Sequence, residues 1–138
     1  MRLTRRDALA LGAGAGLAAL LPIRAMAAGE EQIAAFTGGA EIGEGGITLT
    51  APEIAENGNT VPIEVEAPGA EAIMVLALGN PNPEVMTAHF GPLAGSQRVA
   101  TRIRLAKTQD VLAIAKLADG SFVQAKSTVK VTIGGCGG

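Results

Sequence analysis

The sequence predicts an all-β fold: an immunoglobulin-like antiparallel β-sandwich of about seven strands, with a short N-terminal helix and a flexible C-terminal arm of glycine and cysteine. Hydrophobic and polar residues alternate over several short runs, which is the pattern of strands with one buried face. Clusters of Gly, Pro, Asn and Asp separate these runs. The 138 residues suffice for one compact domain.

The first 27 residues have the three parts of an export signal and are set apart from the fold. Arg5 and Arg6 precede an apolar run, 8–21, and the small residues Ala25 and Ala27 mark a cleavage site. The run is shorter than the roughly 20 residues of a membrane-spanning helix, so no membrane insertion is expected after signal removal. The segment 4–9 resembles the twin-arginine motif. It predicts a twin-arginine-type signal peptide and export to the bacterial periplasm in the folded state, with ordinary unfolded secretion as the alternative.

Residues 28–133 form the predicted sandwich. A helix is expected from Gly29 to Phe36, with acids at its N-terminal end and a stop at Gly38 and Gly39. Alternating patterns then predict half-buried strands, and the almost fully apolar runs predict strands covered on both faces. The alternating runs are 47–49, 61–65, 99–105 and 123–133, the apolar ones are 72–78 and 111–117, and 85–90 is a further candidate. Asp119-Gly120 predicts a hairpin.

Charges are sorted along the chain. Between Glu30 and Glu84 there are ten glutamates and no basic residue, whereas Arg98 to Lys130 holds seven basic residues and only two aspartates. The two halves either pair across strands or present a patch to an anion or a partner. With a net charge of −2 and three phenylalanines as the only aromatic residues, the chain lacks the basic field and stacking platform of a nucleic-acid-binding protein.

Cys136 is the only cysteine and lies in the terminal segment Gly134-Gly135-Cys136-Gly137-Gly138. In an exported protein an odd cysteine indicates intermolecular pairing or a reactive thiol. The flanking glycines predict a thin, freely jointed arm, residues 134–138. Three residues beyond Ile133 carry the sulfur roughly 10 Å past the strand end, which is enough to enter a channel in a partner. A frayed tail with an accidental cysteine is the alternative.

No catalytic set is predicted. A thiol protease needs a base beside its nucleophile, and the single histidine, His89, falls in a predicted strand. One Cys and one His do not make a closed zinc site, which takes four ligands, so no metal ligand is predicted. The glycines around Cys136 do not lead into a helix, and this excludes a phosphate-binding loop.

The sequence resembles the SoxY family, the sulfur-carrier subunits of the bacterial thiosulfate-oxidising Sox system. The segment 131–138 matches the family's Gly-Gly-Cys-Gly-Gly signature, and 52–62 and 101–106 also look like family segments. The resemblance covers most of the chain after residue 27. It implies that Cys136 covalently carries a sulfur or thiosulfate adduct, with no cofactor of the chain's own.

The resemblance also implies partners. They are a SoxZ-like subunit in a heterodimer, a haem protein that couples thiosulfate to the cysteine, a hydrolase that releases sulfate, and a sulfane dehydrogenase in systems that have one. The chain would then be a carrier without turnover of its own. The rival interpretation is an exported sandwich that serves as an interaction module, with Cys136 forming only an intermolecular disulfide. A cysteine-dependent enzyme would require activity from this chain alone.

Overall fold

The structure is a computed structural model that describes residues 28–134, and this range forms a two-sheet β-sandwich with one helix on an outer face. The predicted all-β, immunoglobulin-like fold class is confirmed. The predicted signal peptide lies outside the described residues. The helix α1 spans Glu30–Thr37, and the nine strands found in the described range are β1 (Ile42–Glu44), β2 (Thr48–Thr50), β3 (Ile54–Ala55), β4 (Val61–Glu66), β5 (Ala70–Ala77), β6 (Glu84–His89), β7 (Arg98–Ile103), β8 (Gln109–Leu117) and β9 (Phe122–Val131).

The strands form a large and a small sheet. The large sheet has the order β1-β9-β8-β5-β6 with β3 also paired to β9, and the small sheet has the order β2-β4-β7. All pairs are antiparallel except those of β1 and β3, which run parallel to β9. These two strands are additional to the seven that the sequence predicts. These two strands, of three and two residues, have no alternation of apolar and polar residues in the sequence, and pairing with β9 defines them.

The core between the sheets is built from the alternating residues that the sequence predicts. In β4, Val61, Ile63 and Val65 are buried while Pro62 and Glu66 are exposed. The large sheet contributes the inward side chains of β5, β8 and β9, among them Ile73, Val75, Val111 and Val129. Complete burial of a Val or Ile side chain contributes about 1.5–3 kcal/mol, so this layer is the main source of stability.

The helix α1 covers the outer face of the large sheet. Ile33 and Phe36, on one helix face, pack against Met74 and Leu76 of β5, and the Phe36 ring meets Phe122 edge-on at 5.8 Å between ring centroids. The strands β5 and β8 are therefore covered on both sides, as their apolar runs predict. The helix also ends where predicted, because the Gly38 N–H donates to the Ala34 carbonyl oxygen at 2.8 Å.

The turn between β8 and β9 confirms the predicted hairpin at Asp119-Gly120. Gly120 has φ of +86°, a left-handed conformation that favours glycine. The Asp119 carboxylate accepts hydrogen bonds from the Ser121 hydroxyl at 2.6 Å and the Ser121 N–H at 2.9 Å. These bonds lower the pKa of Asp119, because they favour its charged form. The turn fixes the register in which β9 leads to the C-terminal arm.

Two ion pairs join the acidic and basic halves of the chain. Arg98 of β7 forms a two-pronged pair with Glu64 of β4 at 2.6 and 2.7 Å, and Lys116 lies 4.0 Å from Glu71. Pairing between the halves thus occurs, on partly exposed surfaces. Within residues 28–134, no ion pair involves Arg102, Arg104, Lys107 or Lys130.

Candidate functional site

The described part of the candidate site is the base of the predicted C-terminal arm. Cys136 and its neighbours Gly135, Gly137 and Gly138 lie outside the described residues, as do Arg5 and Arg6 of the predicted signal. Gly134 is the last residue described. We call residues 131–134 the arm root, since they connect the end of β9 to the cysteine.

One flank of the arm root is held by β3 and the residues around it. The Lys130 N–H donates to the Glu53 carbonyl oxygen at 2.9 Å, and the Thr132 N–H donates to that of Ala55 at 2.9 Å. One residue further, the Ile133 carbonyl accepts from the Gly58 N–H at 2.7 Å. Backbone hydrogen bonds to the segment 53–58 therefore continue past the end of β9 to the residue before Gly134.

The other flank is held by the loop 104–108, between β7 and β8. The Thr108 hydroxyl oxygen accepts a hydrogen bond from the Val131 N–H at 2.9 Å. Further along, Gly134 lies directly against Ala106. A Cβ atom added to Gly134 would overlap with the Ala106 carbonyl oxygen and would lie 3.1 Å from the carbonyl carbon. The backbone can pass this close only because Gly134 has no side chain.

Two side-chain amides, Asn80 and Gln109, hold the loop 104–108 in place; we call them the amide cluster. The Asn80 side chain donates to the Arg104 carbonyl oxygen at 2.9 Å and accepts from the Ala106 N–H at 2.9 Å. The Gln109 side chain donates to Asn80 at 2.8 Å and to the Lys107 carbonyl oxygen at 2.9 Å. Both residues are buried, and so is the bond between them; together these bonds rigidify the loop.

Gly79 completes the support of the amide cluster. Its N–H donates to the Gln109 side-chain oxygen at 2.8 Å, and a Cβ atom at this position would lie 2.7 Å from that of Gln109. In the sequence, Gly79 and Asn80 predict only a turn. A buried amide residue and a solvent-exposed turn residue have the same sequence signature, which explains why this part of the site was missed.

The three segments that carry the family resemblance meet at the arm root. The segment 52–62 supplies β3 and Gly58, the segment 101–106 supplies Ala106, and the third contains the arm root itself. A hydrogen bond of 2.7 Å from the Leu105 N–H to the Gly58 carbonyl oxygen joins the first two. The segments are far apart in sequence, and the fold brings them together at the arm root.

The surface at the arm root combines apolar and charged side chains. Among the described residues the exposed large hydrophobic side chains are Ile54, Leu93 and Ile133, and two of these belong to the root and its flank. Arg104 and Lys107 are exposed on the loop 104–108. This surface provides both apolar area and positive charge next to the chain that leads to Cys136.

Other parts of the described structure offer less chemistry. An open groove of about 560 Å³ on the outer face of the small sheet has no Cys or His in its lining, which includes Pro52, Pro62 and Arg102. His89 is exposed at the end of β6, a strand position as predicted. Within residues 28–134, no group of three His, Cys, Asp or Glu side chains could hold a metal ion, and no helix is long and apolar enough to cross a bilayer.

Fold and arm root together define a β-sandwich protein with a cysteine-bearing C-terminal extension. The family model described as "Sulfur oxidation protein SoxY" matches residues 33–136, from α1 to the cysteine. The chain belongs to the SoxY family. A search of curated proteins gave no match.

Solved structures agree with this assignment. The sulfur carrier protein SoxY from Chlorobium limicola f thiosulfatophilum is similar at 36% sequence identity, with a TM-score of 0.66 over 75% of this chain and 96% of that one. A superoxide reductase (neelaredoxin) from Ignicoccus hospitalis is similar at 20% identity, with a TM-score of 0.55 over 63% of this chain and 80% of that one. The second likeness extends to the fold alone.

Proposed function

We propose that this protein is a covalent sulfur carrier of bacterial thiosulfate oxidation, with Cys136 as the attachment site. The observation that carries the proposal is the SoxY family match, which extends to residue 136, the position of the only thiol in the chain. The similar Chlorobium protein is called a sulfur carrier. The arm root supports the same role, because hydrogen bonds on both flanks fix the chain before Cys136 at the surface of the sandwich.

Loading joins two sulfur atoms by oxidation. The Cys136 thiol and the sulfane sulfur of thiosulfate form an S–S bond, the thiol proton is released, and two electrons pass to a haem protein. The product is a cysteine S-thiosulfonate. This chain contributes the nucleophilic sulfur, and the partner contributes the oxidant.

Release of sulfate is a hydrolysis. Water adds to the sulfonate sulfur and the bond between that sulfur and the sulfane sulfur breaks, which yields hydrogen sulfate and a persulfide on Cys136. Where a sulfane dehydrogenase exists, it oxidises the persulfide sulfur to a sulfonate: water supplies the oxygen atoms, protons are released, and the electrons pass to the dehydrogenase. The carrier holds the intermediate while partner enzymes perform each step, in the manner of other covalent group carriers.

The proposal also covers the cellular location of the protein and its partners. Residues 1–27 direct twin-arginine export to the periplasm, residues 28–133 form the sandwich, and residues 134–138 form the arm. A SoxZ-like subunit binds the sandwich. The exposed Ile54 and Ile133 give an approaching partner enzyme apolar area beside the arm.

Intact-mass measurement tests the attachment site. Protein purified from thiosulfate-grown cells should show added mass corresponding to sulfane or thiosulfonate sulfur, and a thiol reductant should remove it. The variant Cys136→Ser should carry none, because a hydroxyl forms no S–S bond. A chain found only as a disulfide-linked dimer without added sulfur would instead support the interaction-module alternative. An adduct on Cys136→Ser would place the carrier site elsewhere.

A further inference from the structure

We propose that Gly134 is the fixed pivot of the carrier arm, and that the amide cluster positions Cys136 through Ala106. The inference rests on the proposed carrier function and adds a positioning role for residues outside the arm. The sequence pattern treats the four arm glycines as equivalent joints. In the structure Gly134 lies against the Ala106 backbone, so its position is more restricted than that of a freely jointed glycine.

The first step of the argument is the close approach between Gly134 and Ala106. Any Cβ atom at position 134 would overlap with the Ala106 carbonyl oxygen, which is backbone and cannot rotate away as a flexible side chain could. The contact therefore requires glycine for its lack of volume. A larger residue would push the chain away from the loop 104–108.

The second step is that Ala106 is itself fixed. Its N–H is bonded to the Asn80 side chain, and the carbonyls of Arg104 and Lys107, on either side of it, are bonded to Asn80 and Gln109. The amide cluster is buried, and no buried side-chain nitrogen or oxygen in the described residues lacks a partner. On the opposite flank Gly58 holds Ile133. Gly134 thus follows a hydrogen-bonded residue, Ile133, and lies against the anchored residue Ala106.

The pivot shortens the reach of the arm. At about 3.3–3.6 Å per residue, the Cα atom of Cys136 can lie at most about 7 Å from that of Gly134, compared with roughly 10 Å from Ile133 if the arm began there. The volume open to the cysteine is then about a third as large. Its effective concentration in front of a docked enzyme is about threefold higher, with no new contact to the enzyme.

Backbone relaxation of the whole protein tests the pivot without any partner. Nitrogen-15 order parameters should stay near 0.85 from β9 through Gly134 and should fall below about 0.6 from Gly135 onward. Gly134→Ala should lower the values at Thr132 and Ile133 and reduce the melting temperature by about 5 °C or more. The matched control Gly135→Ala should change neither. A parent in which Gly134 is as mobile as Gly135, or two variants that behave alike, would overturn the proposal.

Loading kinetics separate positioning from mere stability. With the haem partner below the melting temperature, Gly134→Ala should raise KM for loading by about threefold with little change in kcat, while iodoacetamide should modify Cys136 at the parent rate. An unchanged KM would refute the positioning role. If the parent takes up no sulfur at all, the carrier function fails, whereas the relaxation measurement still decides whether Gly134 is a pivot.

Discussion

The N–H of Gly58 donates a hydrogen bond of 2.7 Å to the carbonyl oxygen of Ile133, across 75 positions of sequence. The carbonyl of the same glycine accepts a bond of 2.7 Å from the Leu105 N–H. Gly58 is buried, and so is Leu105. A single residue therefore links the arm root to the loop 104–108, and both lie beside the chain that leads to the cysteine.

The Gly58 bond can be removed by substituting the donor. Gly58→Pro lacks the N–H, so the Ile133 carbonyl loses its partner, and we expect the free energy of unfolding to fall by about 1–3 kcal/mol more than in Gly58→Ala. The alanine variant adds a Cβ atom but keeps the donor, which makes it the matched control. Urea denaturation measures both. Equal stability of the two variants would mean that the bond contributes nothing.

Loss of the amide cluster should lower the free energy of unfolding more than loss of the Gly58 bond. Asn80→Ala removes three hydrogen bonds and leaves the partly buried Ala106 N–H and Arg104 carbonyl without their side-chain partner. We expect a loss of at least about 2 kcal/mol in unfolding free energy, since three hydrogen bonds are lost together and the buried one between Asn80 and Gln109 leaves an unpaired amide N–H that costs about 1–3 kcal/mol. The control is Asn82→Ala, an exposed residue of the same turn. If the two variants lost equal stability, Asn80 would be an ordinary turn residue.

Some of the strands and the helix can be predicted directly from the sequence. Alternation in 61–65 and the continuous apolar run in 72–78 are local patterns, and burial on one face or on both produces them. They correctly predict β4 and β5 with their faces. The helix also follows, because its two apolar residues and its glycine stop are close together in sequence.

The arm root does not follow from the sequence, for two physical reasons. Its strand β3 has two residues, which is too short to show any period, and its pairing is determined by β9. Its other contacts join backbone groups, such as those of Gly134 and Ala106, and backbone contacts leave no side-chain pattern. The terminal Gly-Gly-Cys-Gly-Gly motif gives the positions of the glycines, but it does not show that Gly134 lies against Ala106.

Titration of Glu64 should report on its pair with Arg98. The hydrogen bond from Arg98 holds the pKa of the Glu64 carboxyl below its ordinary value, and Arg98→Gln should let it rise towards that value. Because the folded pKa is lowered, the pair adds stability above the ordinary carboxyl pKa of about 4.3, and this contribution is lost as the pH falls through the folded pKa.

Carbon-13 NMR of the Glu64 carboxyl gives the pKa directly, and acid denaturation gives its effect on stability. The difference in stability between the parent and Arg98→Gln should shrink as the pH falls below about 4.3. The effect is small, since both side chains are partly exposed. Lys116→Gln, in the longer pair with Glu71, is the control and should leave the Glu64 titration unchanged. A Glu64 carboxyl that titrates alike with and without Arg98 would contradict the pairing.

The last prediction concerns the positive charge beside the arm. Arg104 and Lys107 flank Ala106, are exposed, and take part in no ion pair among the described residues. Cys136 can lie at most about 7 Å beyond Gly134, which itself lies against Ala106, so its surroundings fall within about one Debye length of this loop at physiological salt. The two cations should therefore attract an anion that approaches the thiol.

Iodoacetate and iodoacetamide react with a thiol by the same displacement and differ by one negative charge. Replacing both cations, in Arg104→Gln with Lys107→Gln, should lower the ratio of the iodoacetate rate to the iodoacetamide rate at Cys136 by about two- to fivefold at low salt. Both reagents react with the thiolate, so any change in the thiolate fraction cancels in the ratio of the two rates. At high salt the parent and the double variant should have the same rate ratio, because screening weakens the attraction of iodoacetate to Arg104 and to Lys107. Lys116→Gln, towards the opposite end of β8, should leave the ratio unchanged. If the double variant has the same rate ratio as the parent, the charges of Arg104 and Lys107 do not influence anions at Cys136 and are only solvated surface charges.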